Sequence, residues 1–149
     1  MDTRRVSDKN LQKRCVCFDV RKAARAISKL YDDFLRPAGL RVTQFSLLMA
    51  AKKSGTVTVT RLSKISISDR TTLTRNLTVL EKKGLIRIES GEDRRERLVS
   101  LTDKGHDVVK ESVMLWEKAQ SHIIDRMGED RTQNLLKELS DIVLLARAV

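Results

Sequence analysis

The feature that most constrains the fold is a change of hydrophobic period at Gly84. Before it, Leu73, Leu77 and Leu80 recur at helical spacing. After it, "LIRIES" alternates apolar with polar side chains, as a half-buried strand does. "GEDR" reads as a turn, and "RERLVSLT" alternates again, with Val99 and Leu101 on one side. A β-hairpin therefore follows directly on a short helix.

The segments on either side are helical in pattern. Residues from about 8 to 36 read as one long helix, with Val20, Ala24, Ile27, Tyr31 and Phe34 three or four apart and Leu30, Ala23 and Leu35 widening the stripe. Pro37 ends it, because the residue before a proline avoids the α region, and "PAGLRV" is a turn. Thr43 is expected to cap a second helix, "QFSLLMAAKKS", which stops at Gly55. An extended "TVT" follows. Thr58 then caps a third short helix with Val59, Leu62 and Ile65 inward. Beyond the hairpin, Thr102 caps a helix running to about Met127, with Val109, Val113, Trp116 and Ile123 as its stripe. Gly128 interrupts, and a last helix carries Leu135, Leu136, Leu139, Ile142, Val143 and Ala146.

This order predicts a mainly α fold with a small β-hairpin wing. Residues 43–102 make a winged helix-turn-helix lobe, flanked by long apolar-faced helices over 8–36 and 103–149, all within one domain of residues 1–149. The end helices carry more apolar surface than so small a middle covers, which calls for a second copy of the chain.

Charge narrows the function. The formal net charge is +10. Residues 1–54 hold 13 basic and 5 acidic side chains, leaving +8; residues 55–105 hold 11 and 7, leaving +4; residues 106–149 hold 6 and 8, leaving −2. A surplus concentrated in the first two-thirds suggests a polyanionic partner. No apolar run is long enough to span a membrane, and "MDTRRVSDKNLQKR" lacks the apolar core of a secretory signal. Two cysteines are too few for a disulfide framework. A cytoplasmic location is the expectation. Aromatics are 3% of the chain, so its core must be aliphatic.

The helix before the hairpin, "SDRTTLTRNLTVLEKKG", has an unusual outer face. Opposite the leucine line run Thr71, Arg75, Thr78 and Lys82, with Arg70 and Thr74 beside them. Threonine costs a helix ~0.5 kcal/mol relative to alanine, so four of them, with Thr72, need a reason. A short, donor-rich, cationic face suits the major groove of DNA. Arginine can bond O6 and N7 of one guanine, and threonine permits close approach and can touch a phosphate, a base edge or a thymine methyl. Asp69 or Ser68 caps the first turn. An ordinary solvated face would mix glutamate with lysine, whereas here the first acid is Glu81 at the edge. At the hairpin tip, Arg94 and Arg95 can reach a minor groove. Asp93 is expected to hold one of their guanidinium groups by a bidentate pair.

With "DRTTLTRNLTVLEKKGLI" and the wing "EDRRERLVSLTDKG", the sequence resembles the MarR family of transcription regulators. Helix order matches from about Leu11 to Val149. The resemblance implies a symmetric homodimer with both termini in its dimerisation helices, bound to a palindromic double-stranded operator, usually as a repressor. It carries the readout positions onto Arg70, Thr71, Thr72, Thr74 and Arg75, and the wing positions onto Asp93 and Arg95, with Arg94 between. Ser66 departs from the family, which generally has an apolar residue there.

"CVCFDVRKAARAISKLYDDFL" further resembles the branch that detects organic hydroperoxides. On that resemblance Cys17 is the sensor and Tyr31 supports its thiol, while a second supporting tyrosine is replaced by Arg21. Cys17 and Tyr31, fourteen residues apart, are ~21 Å apart on one helix, so contact must come from another subunit. Cys15 and Cys17 would face different ways on a helix, and Arg14 or Arg21 could favour a thiolate. Cys15 reads as a small buried filler. Relatives also commonly take small aromatic acids, so the effector is a small molecule or a hydroperoxide. No metal or other cofactor is expected: Cys15, Cys17, His106 and His122 form no ligand-spaced cluster.

Two other classes fit less well. An RNA- or ribosome-associated basic protein would share the charge and the wing, but RNA readers commonly stack bases on aromatics, and none occurs between Phe45 and Trp116. An enzyme is not expected, since no nucleophile–base–acid set, phosphate loop or carboxylate pair is present.

Overall fold

In a computed structural model, residues 14–66 and 69–148 are described. The described residues form six α-helices and three short strands. Helix α1 spans Val16–Leu35 and runs into a 3-10 turn at Arg36–Ala38. Helix α2 (Val42–Ser54), strand β1 (Thr56–Thr58) and helix α3 (Val59–Ile65) follow. Helix α4 (Arg70–Lys82) leads into β2 (Ile86–Ser90) and β3 (Arg97–Leu101). Helices α5 (Asp103–Met127) and α6 (Glu129–Arg147) close the chain. The fold is mostly helical with a winged helix-turn-helix at its centre.

The expected "TVT" segment is more than extended chain. It pairs antiparallel with β3, Val57 opposite Val99, and makes a three-stranded sheet ordered β1-β3-β2. The hairpin register sets Ile88 against Val99 as well. Val99 is buried and so anchors both pairings.

Two expectations about helix starts are corrected. Helix α1 begins at Val16, with Cys15 extended at its N-cap, so residues 14 and 15 are not helical; residues 8–13 lie outside the described part. Thr43 does not cap α2: the N-cap is Arg41, and Thr43 is already in the first turn. The donors there are met from elsewhere. Asp32, on α1, accepts from the Val42 N–H at 2.7 Å, and the Gln44 Oε1 accepts from the Arg41 N–H at 3.1 Å. Orphan donors at a helix start can be satisfied by any suitable acceptor, and a capping group ten residues away leaves no local signal. Thr58 and Thr102 cap α3 and α5 as expected, accepting from Arg61 N–H at 3.1 Å and Gly105 N–H at 3.0 Å.

The core lies in the winged lobe. Leu48, Leu62, Leu73 and Leu80 are wholly buried there, joined by Leu35, Val57, Val99 and Val109. It is aliphatic apart from Phe45, whose ring packs on half-buried Trp116 at 6.4 Å between centroids. Outside the lobe, α1 lies against α5: the Tyr31 hydroxyl donates to Gln120 Oε1, and Phe34 meets His122 at 5.5 Å. Gly128, with φ of 87°, turns the chain from α5 into α6, a backbone region that suits glycine. No residue of α6 is buried; Leu139 and Ile142 are each 39% exposed and Leu145 72%. Among the described residues, no helix is long and apolar enough to cross a membrane.

Candidate nucleic-acid interface

Helix α4 is built as a two-faced rod. Leu73, Leu77 and Leu80 are buried, while Arg70, Thr71, Thr74, Arg75, Thr78 and Lys82 are exposed. Thr72 is half-buried. Asp69 is the N-cap, its carboxylate accepting from the Thr72 N–H at 2.7 Å. That bond, aided by the Thr72 hydroxyl, the Thr71 N–H and the Arg75 charge, holds the Asp69 pKa below its ordinary 3.8. Ser68, the other candidate cap, lies outside the described residues, as does Ile67 next to Ser66. Ser66 is half-buried and ends α3 by donating its N–H to the Leu62 carbonyl at 2.7 Å.

The threonines divide into two kinds. The Thr74 hydroxyl donates to the Arg70 carbonyl and the Thr78 hydroxyl to the Thr74 carbonyl, each at 2.9 Å. Their protons are thus spent on the backbone, a common arrangement for threonine inside helices. They keep lone pairs and methyl groups for contact, not donors for a phosphate. Donation from the exposed face rests on Arg70, Thr71, Arg75 and Lys82.

The wing tip is fixed through its backbone. Asp93 Oδ1 accepts from the Arg95 N–H at 2.9 Å, Glu96 N–H donates to the Asp93 carbonyl at 2.8 Å, and Gly91 N–H to the Glu96 carbonyl at 2.9 Å. The expected Asp93–guanidinium pair is not formed; the carboxylate caps a tight turn instead. Arg94 and Arg95 are exposed in that turn. Among the described residues, ion pairs are confined to Arg14–Asp19 at 3.5 Å and Arg36–Asp33. The cations of α4 and of the wing therefore enter no ion pair among the described residues, although the Arg75 charge acts on the Asp69 carboxylate from a greater distance.

The cysteine expectations change more. Cys15 and Cys17 are both exposed in the chain, so Cys15 is not a buried filler. Because Cys15 precedes the helix, helical spacing does not set the relative directions of the two thiols. Arg14 is engaged by Asp19. Tyr31 is engaged by Gln120 of its own chain, and burial raises its pKa above 10.0. Among the described residues, no contact brings Tyr31 to Cys17. Reading from sequence also missed Lys83, Lys104 and Gly105, which gather behind α4; "SLTDKG" held the last two, yet no local pattern says what they touch.

A cationic, threonine-faced helix capped by an aspartate, followed at once by an arginine-tipped wing, defines a winged helix-turn-helix regulator. The chain belongs to the MarR family of transcription regulators and is not an enzyme: it is 33% identical over 113 residues to the multiple antibiotic resistance protein MarR of Salmonella typhimurium, covering 75% of this chain and 71% of that one, and a model of the family matches residues 38–96. It is 32% identical over 130 residues to the HTH-type transcriptional regulator SarZ of Staphylococcus epidermidis, covering 86% of each chain. It is similar to the M. tuberculosis regulator MosR, solved in complex with DNA, at 35% identity and a TM-score of 0.76, covering 90% of this chain and 99% of that one. It also shares 33% identity over 91 residues with the organic hydroperoxide resistance regulator of Bacillus subtilis, 60% of this chain and 62% of that one.

Proposed function

We propose that the chain is a cytoplasmic homodimer that binds a palindromic double-stranded DNA operator and represses transcription until a small-molecule or oxidant signal releases it. The observation that carries this reading is the outer face of α4. Thr71 and Arg75 stand exposed opposite Leu73, Leu77 and Leu80 in the core, with exposed Arg70 beside them at the helix start, and neither arginine enters an ion pair among the described residues. In this reading α4 lies in the major groove, with Arg70 and Arg75 on base edges or phosphates, and Thr71, Thr72, Thr74 and Thr78 allowing close approach. Arg94 and Arg95 reach the adjacent minor groove, and Asp93 shapes the turn that presents them.

Dimerisation is supported by surface that the chain leaves uncovered: Leu136, Leu139, Ile142 and Val143 on α6, and Val16, Phe18 and Ile27 on α1. Exposed apolar side chains in this number suit an interface. Two copies would hold their α4 helices about 34–36 Å apart, one turn of duplex. An oxidant signal is supported by the exposure of Cys17 in the first turn of α1.

The test is a titration of selected palindromic and scrambled duplexes across salt. Wild type is expected to bind steeply less well as salt rises, and Arg75→Ala to lose preference among duplexes while keeping most non-specific affinity. Identical affinities of wild type and Arg75→Ala for every duplex would refute the reading.

A further inference from the structure

Helix α4 is anchored at the end away from its arginines, and from two directions. Lys83, its C-cap, donates Nζ to the Gly39 carbonyl at 2.6 Å, reaching the turn between α1 and α2. Lys104, in the first turn of α5, donates Nζ to the Lys83 carbonyl at 2.9 Å. Thr102 donates its hydroxyl to the Gly84 carbonyl at 2.6 Å, and its N–H to the Leu85 carbonyl at 3.1 Å. The last carbonyls of a helix have no partner within it. Here side chains and backbone from the start of α5 take those at and just beyond the end of α4.

The segments that meet here have different duties. The end of α1 and the start of α5 belong to the long helices; α4 belongs to the winged lobe. The contact between Lys83 and Gly39 spans 44 residues of sequence. It forms part of the wall of an open cleft of about 570 Å³. A hydrogen bond so open to water adds little net stability, so its value must be sought in geometry. With 13 residues, α4 is ~20 Å long. A pivot of ~5° at Lys83 would swing the other end by nearly ~2 Å, more than a base-edge hydrogen bond tolerates.

We propose that Lys83 and Lys104 are positioning residues that fix the aim of α4 against α1 and α5, and so set which half-site spacing the dimer accepts. This rests on the DNA-binding reading above. A competing account is that both lysines merely offset the negative end of the α4 dipole. The two accounts differ in what they demand of shape: the dipole asks only for charge, whereas aim asks for the Lys83–Gly39 and Lys104–Lys83 bonds themselves.

The experiment takes the tightest palindromic duplex selected by the wild-type chain, and two further duplexes with its spacing lengthened or shortened by one base pair. Affinities are measured by anisotropy for wild type, Lys83→Met with Lys104→Met, and Lys83→Arg with Lys104→Arg, together with a non-specific duplex and each melting midpoint. The methionine variant is expected to lose on the order of tenfold of the preference for native spacing. Its non-specific affinity, salt slope and melting midpoint should stay near wild type. The arginine variant keeps charge but not the bond geometry, and should lose spacing preference too. Full spacing preference in the arginine variant, with loss in the methionine variant, would overturn positioning in favour of the dipole. Unchanged preference in both, or an equal loss on all duplexes with a shallower salt slope, would overturn it outright. If the wild type itself shows no spacing or sequence preference, the DNA-binding reading fails and the inference falls with it.

Discussion

Replacing Gly105 by alanine tests how tightly α5 is seated behind the hairpin. A Cβ at this position would stand 2.0 Å from the Leu85 carbonyl oxygen, 3.0 Å from its carbon and 3.4 Å from Leu101 Cδ2. Carbon and oxygen ordinarily come no nearer than about 3.3 Å, so the two backbones must part by more than an ångström. The oxygen cannot retreat freely, because it accepts the Thr102 N–H at 3.1 Å. Forced overpacking costs about 1–3 kcal/mol, and weakening that hydrogen bond adds about 1 kcal/mol. Against this, alanine gains at most ~1 kcal/mol over glycine in helix propensity. The balance is a loss of about 2 kcal/mol. With a urea slope of about 2 kcal/mol per molar, the unfolding midpoint should fall by about 1 M. The comparison must be made at one protein concentration, since association shifts apparent stability. A Gly105→Ala chain that unfolds at or above the wild-type midpoint would refute the close approach of α5 to Leu85.

Three further outcomes are expected. Because the folded-state pKa of Asp69 is depressed, its charged cap supports the fold above the ordinary 3.8 and loses that support as pH falls through the folded value. The gap in thermal midpoint between wild type and Asp69→Asn should therefore narrow as a buffer series passes below that pH; a constant gap would show that the charge is irrelevant to the cap. Leu139→Lys with Ile142→Lys on α6 removes apolar contact worth about 1.5–3 kcal/mol for each side chain, and sedimentation should report a monomer where the wild type gives a dimer; an unchanged mass would move the interface elsewhere. Cumene hydroperoxide should release DNA from wild type but not from Cys17→Ser, and release from both would exclude Cys17 as the sensor.

Periodicity made most of the fold legible. The leucines of α4, the alternation of β2 and β3, and the caps Thr58 and Thr102 are local signals, and each acts within a few residues of itself. What could not be read was settled across the chain. Asp32 caps α2 from ten residues away, so Thr43 looked like the natural choice. Strand β1 owes its existence to β3, some forty residues later, and three residues of "TVT" cannot declare a partner. The exposed arginines of α4 and the wing followed from the pattern of charge. The turn-capping role of Asp93 did not, since a carboxylate beside two arginines also suggests an ion pair. The commitment of the Thr74 and Thr78 protons to carbonyls one turn back could have been anticipated from their place inside a helix.

The uncovered state of α6 has a bearing on how the molecule comes to exist. Its 19 residues include none that is buried, and in proteins most of a helix's stability comes from packing its apolar face. In the homodimer proposed above, a second copy of the chain supplies that packing. Dilution should then do to this segment what heat does to the leucine-filled lobe: the tail would fray at low concentration while the α4 core stayed closed. Folding of α6 and meeting a companion would then be one event, and cellular abundance would bear directly on whether this helix is a helix at all.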